Sequence, residues 1–157
     1  MNITLLAVGK TEVPWVKEGL ELYTSRLKHY VPFKVEEIPH LKGAAALSEQ
    51  TIKDKEGGII LSKLKPGDYV ILLDEHGKEY RSVEFAGYME QLISRSSQDI
   101  VFIIGGAYGF SQPVYDRANA KLSLSKMTFS HQMVRTIFAE QLYRAFTIMK
   151  GEPYHHE

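Results

Sequence analysis

A chain of 157 residues, 44% hydrophobic and 24% charged, is long enough to bury roughly 68–70% of its unfolded surface in one domain, residues 1–157. Nineteen Lys and Arg balance nineteen Asp and Glu, and cysteine is absent, which excludes disulfides, thiolate nucleophiles and Cys-ligated zinc and fits a reducing cytoplasm. No stretch approaches the roughly 18 apolar residues of a membrane span, and Ile3–Val8 is too short for the apolar core of a signal peptide, so no membrane partner is expected.

The first apolar run, residues 2–8, predicts a strand. Pro14 in a first turn, with Val16, Leu20, Tyr23, Leu27 and Tyr30 on one stripe, predicts a helix over 14–30. A second strand is expected at 34–38, and a more polar helical pattern over 47–64 is interrupted by Gly57 and Gly58. Residues 69–73 and 100–104 are continuously apolar, the mark of strands covered on both faces of a parallel sheet. Between them, residues 75–78 read as a loop, and Ser82 is placed to cap a helix carrying Phe85, Met89, Leu92 and Ile93. Ser111 with Pro113 predicts a short helix through Ala118, and 121–124 a short fifth strand. Ser130 is placed to cap a last helix ending at Met149 and Lys150, with Gly151 at its C′ position, Pro153 beyond, and a stripe of Val134, Phe138, Leu142, Ala145 and Met149. The alternation predicts an α/β fold with a mainly parallel sheet flanked by helices.

Ligands of such sheets bind beyond the carboxyl ends of the strands. Three of those ends carry suggestive residues: Leu73-Asp74-Glu75, Gly105-Gly106-Ala107-Tyr108-Gly109, and Leu124-Ser125-Lys126-Met127-Thr128-Phe129-Ser130-His131. Glycines let backbone groups approach a ligand closely, although a tight turn needs them equally. The glycine run lacks the spacing of a dinucleotide fingerprint, and no lysine follows as in a phosphate-binding loop. Asp74 and Glu75 suit a ribose hydroxyl or a cation, or simply face solvent. His131 is a candidate ligand or base, or a surface neighbour of the cap. Arg144 is spaced for an ion pair with Glu140, whereas Arg135 has no acidic residue three or four positions away and is the better candidate for a phosphate. His155 and His156 have no third ligand at helical spacing, so no metal site is expected. From Arg117 onward six Lys and Arg face three Asp and Glu, a mild excess of positive charge for a polyanion-facing side.

Taken together, Leu6-Ala7-Val8-Gly9-Lys10, Asp54-Lys55-Glu56-Gly57, Ile103-Ile104-Gly105-Gly106, Leu122-Ser123-Leu124-Ser125-Lys126-Met127-Thr128-Phe129, Val134-Arg135, Glu140-Gln141-Leu142-Tyr143-Arg144-Ala145 and Pro153-Tyr154-His155-His156 resemble the RlmH family of bacterial large-subunit rRNA methyltransferases, in the SPOUT superfamily. The resemblance spans essentially the whole chain. It implies a C-terminal trefoil knot, a homodimer whose second subunit completes the site, and methyl transfer from S-adenosylmethionine to N3 of a pseudouridine in the helix 69 stem-loop of 23S rRNA. By motif it assigns the cofactor to Leu73, Gly105, Leu124, Ser125, Lys126, Met127, Thr128 and Phe129. His131, Arg135, Tyr154 and His155 become candidates for catalysis, and Arg135, Arg144 and His156 for RNA contacts. Near-neutral net charge fits recognition of an assembled ribosome better than tight binding to bare RNA. Two alternatives stand beside this reading: a SPOUT methyltransferase acting on another RNA nucleotide, and a non-catalytic ribosome-associated factor.

Overall fold

In a computed structural model that describes residues 1–156, strand β1 (Ile3–Val8) lies between β2 (Phe33–Ile38) and β4 (Ile100–Ile104). On the other side of β4 comes β3 (Tyr69–Glu79), whose far edge carries β5 (Ala120–Ser123). Every pairing in this order, β2-β1-β4-β3-β5, is parallel. All residues of β1 and β4 are buried because helices cover both faces, which accounts for their unbroken apolar sequences. On one face α1 (Pro14–Leu27), α3 (Ser82–Arg95) and α5 (Met133–Met149) enclose Leu5, Ile71 and Phe102 with Leu27, Met89, Phe138 and Leu142. On the other, α2 (Glu49–Ser62) and α4 (Gln112–Arg117) bring Ile60 and Val114 onto Leu6, Leu72, Val101 and Ile103. The rings of Phe102 and Phe138 meet at 4.6 Å in the middle of the first cluster. Truncating either to Ala removes about 3–5 kcal/mol of stability.

Several expected boundaries shift, each for a local reason. Helix α1 ends at Leu27 because Tyr30 N–H turns back to the Leu27 carbonyl at 2.9 Å, tightening the chain ahead of Pro32. The glycine pair does not break α2: Gly57 is buried where the helix presses on Ser111, so the missing side chain serves close packing rather than a turn. Ser48 caps that helix, accepting from Thr51 N–H at 3.1 Å. Ser82 is not the cap of α3. Its hydroxyl donates to Gln141 at 2.9 Å, and the first turn is closed by Glu84, which accepts from Arg81 N–H at 2.7 Å. Ser130 accepts from Met133 N–H at 3.0 Å, capping a turn that precedes α5. At the other end, Gly151 N–H reaches the Ile148 carbonyl and Glu152 N–H the Thr147 carbonyl, the paired bonds of a Schellman cap.

The expected loop at 75–78 is instead part of β3. Leu73 and Lys78 both stand opposite Leu122 on β5, so residues 74–77 bulge out of the ladder and return to it. The polar sequence of the bulge hides the strand on either side.

Candidate functional site

Strands β4, β3 and β5 deliver three loops to one edge of the sheet, and these enclose a cavity of about 450 Å³, within the usual range for a small-molecule site. Leu73, Gly105, Leu124, Ser125, Met127, Thr128 and Phe129 all line it, and His131 stands exposed on its wall. The segments expected to converge therefore do so. Lys126 does not take part: its ammonium points to Glu79 at 3.7 Å, outside the cavity. The 124–129 loop is held by its own side chains, with Ser125 Oγ accepting from Met127 N–H at 3.0 Å and Thr128 donating to Glu75 at 3.2 Å. Met127, 78% exposed, is an apolar surface waiting for a partner.

The wall is acidic. Asp74 and Glu75 line the cavity while no Lys or Arg does, among the described residues. Asp74 is engaged on both oxygens, accepting from the Tyr115 hydroxyl at 2.6 Å and from His76 N–H at 2.9 Å. Burial, helped by the bond to Asp74, pushes the Tyr115 hydroxyl up to about 12. A cationic or neutral ligand suits such a wall; a phosphate does not.

The glycine turn is closed by Gly109 N–H donating to the Gly106 carbonyl at 3.2 Å. A side chain at Gly105 would meet the Phe110 ring at 3.0 Å, and one at Gly106 would meet Glu56 Oε1 at 2.5 Å. Glu56, on α2, is only 6% exposed, and its Oε1 has no hydrogen-bond partner. Burial raises its pKa, with nearby His40 pulling the other way. No role was expected for it, although Ile52 and Ile60, four residues to either side, share its face of α2 and marked it as a carboxylate on an inward stripe.

Arg135 overturns the expectation of a free cation. It is 1% exposed, and its guanidinium donates to the carbonyls of Val8 (3.0 Å), Gly9 (2.8 Å) and His131 (3.0 Å) and to Thr11 Oγ1 (2.8 Å), with Glu37 at 3.4 Å. Its partners are distant in sequence, so the search three and four residues away missed them. Interior and fully engaged, it meets neither a phosphate nor a reacting atom. Arg144 does pair with Glu140, at 2.9 Å, as its spacing predicted, and also meets His155 Nδ1 at 3.0 Å. The guanidinium lies 4.7 Å from the centre of the Tyr154 ring, whose hydroxyl donates to Glu140 at 2.8 Å. The tail is thus anchored on α5, with His156 exposed, and none of Tyr154, His155 and His156 lines the cavity of its own chain. Glu157 lies outside the described residues.

A family model described as a predicted SPOUT methyltransferase matches residues 1–155. Proteins named ribosomal RNA large subunit methyltransferase H align over the full length of both chains, from Bacteroides fragilis at 54% identity and Parabacteroides distasonis at 52%. The protein of that name from Flavobacterium johnsoniae is 50% identical over 100% of each chain.

Proposed function

Since the chain belongs to the SPOUT methyltransferase family, we propose that it transfers a methyl group from S-adenosylmethionine to N3 of a pseudouridine in the helix 69 stem-loop of 23S rRNA, as a cytoplasmic homodimer acting on assembled ribosomes. The observation that carries this reading is the meeting of Leu73, Gly105 and the 124–129 loop around one acid-walled cavity free of Lys and Arg. The relatives' shared name supports the choice of large-subunit rRNA as substrate. Membership in the family implies a trefoil knot in the C-terminal part of the chain, which carries the 105–109 and 124–129 loops.

The residues fit the group that this reading requires. Leu73, Leu124, Met127 and Phe129 offer apolar surface for an adenine, and exposed loop backbone offers hydrogen bonds to its edge. The carboxylates of the wall complement a net positive ligand. When bound, S-adenosylmethionine supplies a methyl group on a positively charged sulfur, reactive toward a nitrogen held in line with it. What the protein contributes is placement, which is worth about 7–11 kcal/mol of such a barrier. The N3 proton must also leave, and His131 on the cavity wall is the group that accepts it in this reading. His156 and the tail, held away from their own cavity, serve the partner subunit's site.

The test is methylation of ribosomes and of free 23S rRNA, both from a strain lacking the activity, with labelled S-adenosylmethionine and mass mapping of the product. The expected result is 3-methylpseudouridine in helix 69, formed faster on ribosomes. A methyl group on a different nucleotide refutes the substrate assignment, and no cofactor binding at all would leave a non-catalytic ribosome factor. Equal incorporation into both substrates removes the preference for assembled particles.

A further inference from the structure

Glu56 stands out among the charged groups of the chain because it is interior and incompletely satisfied. Its carboxyl is 94% buried, being 6% exposed, and Oε1 accepts no hydrogen bond. Such a group costs about 1–3 kcal/mol or more unless a donor reaches it. The carboxyl lies against Gly106, both of its oxygens within 2.8 Å of where that residue's side chain would begin. Gly106 in turn lines the cavity. Helix α2 is held in this place by Gly57, packed on buried Ser111 at the start of α4. Meanwhile the two carboxylates on the wall itself are already engaged, Asp74 by Tyr115 and His76, Glu75 by Thr128.

Resting on the reading above, we propose that Glu56 is a specificity-determining residue of the cavity: across the glycine turn it accepts a hydrogen bond from the α-ammonium of the methyl donor's amino-acid end. The chemistry selects that group. An orphan acceptor needs a donor, and the ligand's sulfonium carries none, whereas its ammonium offers three N–H bonds and a full positive charge. An ionised acceptor beside a cation also recovers what burial costs the carboxylate. The absence of a side chain at Gly106 is what gives the carboxyl its place, since a Cβ there would collide with Oε1. The glycine turn and the α2 carboxylate then form one device for reading the amino acid, separate from the apolar surfaces that hold the adenine.

Calorimetry on the full-length protein tests this with three neutral-sulfur probes. These are S-adenosylhomocysteine, its analogue lacking only the amino group, and 5′-methylthioadenosine, which lacks the whole amino acid. In the unaltered protein, loss of the amino group should weaken binding about 10-fold or more, the value of a hydrogen bond to a charged group. Glu56→Gln, isosteric and uncharged, should weaken S-adenosylhomocysteine by a similar factor. It should leave the deamino analogue and methylthioadenosine within 2-fold. Equal weakening of all three probes would mean that Glu56 only shapes the wall, and unchanged affinity for S-adenosylhomocysteine would mean that it does not meet the ligand. Either result overturns the proposal while the family reading stands. Should the variant not fold, equal affinity of the unaltered protein for the first two probes overturns it alone. If no adenosyl compound binds the unaltered protein, both readings fall together.

Discussion

Arg135 donates from Nε to the backbone carbonyl of His131 at 3.0 Å, tying the turn that presents the cavity's histidine to the start of α5. The same guanidinium holds the carbonyls of Val8 and Gly9 where the chain leaves β1. One interior cation therefore clamps two strand-end segments together, and its planar fork suits that work better than an ammonium. Arg135→Lys keeps the charge but cannot reach all of these acceptors at once. With buried acceptors left unpaired, each at about 1–3 kcal/mol, denaturant unfolding should show a loss of roughly 2–4 kcal/mol. The salt dependence of rRNA binding should not change. A log–log slope shallower by about 0.7–0.9 would return Arg135 to the phosphate backbone.

The stripe on α5 already contained the signal for this role. Arg135 lies three residues before Phe138 and seven before Leu142, on the buried side of the helix. Reading its charge before its position sent it outward. The sheet, by contrast, was legible throughout, because unbroken runs such as Ile100–Ile104 are possible only where both faces are covered. The cavity was legible for a similar reason: Leu73, Gly105 and Leu124 each follow the end of a parallel strand, and such ends share one edge. What stayed hidden was contact between segments remote in sequence, as in Glu56 against Gly106 or Tyr154 against Glu140. No local pattern encodes which loop a helix will lean upon.

Gly105→Val places two methyl groups where a first carbon already meets Phe110 at 3.0 Å. The Phe110 ring is buried in the second core cluster and has little room to retreat, so the glycine turn must shift instead. Binding of S-adenosylmethionine should fall below detection by calorimetry, while circular dichroism and hydrodynamic size stay those of the unaltered protein. Retained affinity would remove this turn from the site.

The Tyr115 hydroxyl, buried and bonded to Asp74, loses its proton only near pH 12 against an ordinary value of 10.0. The folded state therefore holds this proton more tightly than the unfolded chain does. The resulting stability is fully present below pH 10 and is lost as pH rises through about 12. Tyr115→Phe should make the fall in unfolding free energy shallower over that window and leave the neutral range with an almost constant offset. Parallel curves for the two proteins would show that the Tyr115–Asp74 pair is not a source of alkaline sensitivity.

The tail makes the sharpest separation between binding and turnover. Tyr154 is fixed to Glu140 by its hydroxyl at 2.8 Å and to Arg144 by its ring at 4.7 Å, and His155 meets the same guanidinium at 3.0 Å. None of these groups touches the cavity of its own chain. Ending the chain at Pro153 should therefore leave affinity for S-adenosylmethionine within about 2-fold, since every lining residue remains. Methyl transfer to ribosomes, in contrast, should slow by about 10²-fold or more, the usual weight of a positioned acid–base or orienting group. Tyr154→Phe separates anchoring from chemistry: it removes one hydrogen bond, worth about 1 kcal/mol, and keeps the ring over Arg144. A drop in turnover as deep as that of the truncation assigns the work to the phenolic hydroxyl. A drop confined to the truncation assigns it to His155 and His156, and unchanged turnover in both variants makes the tail a terminus and nothing more.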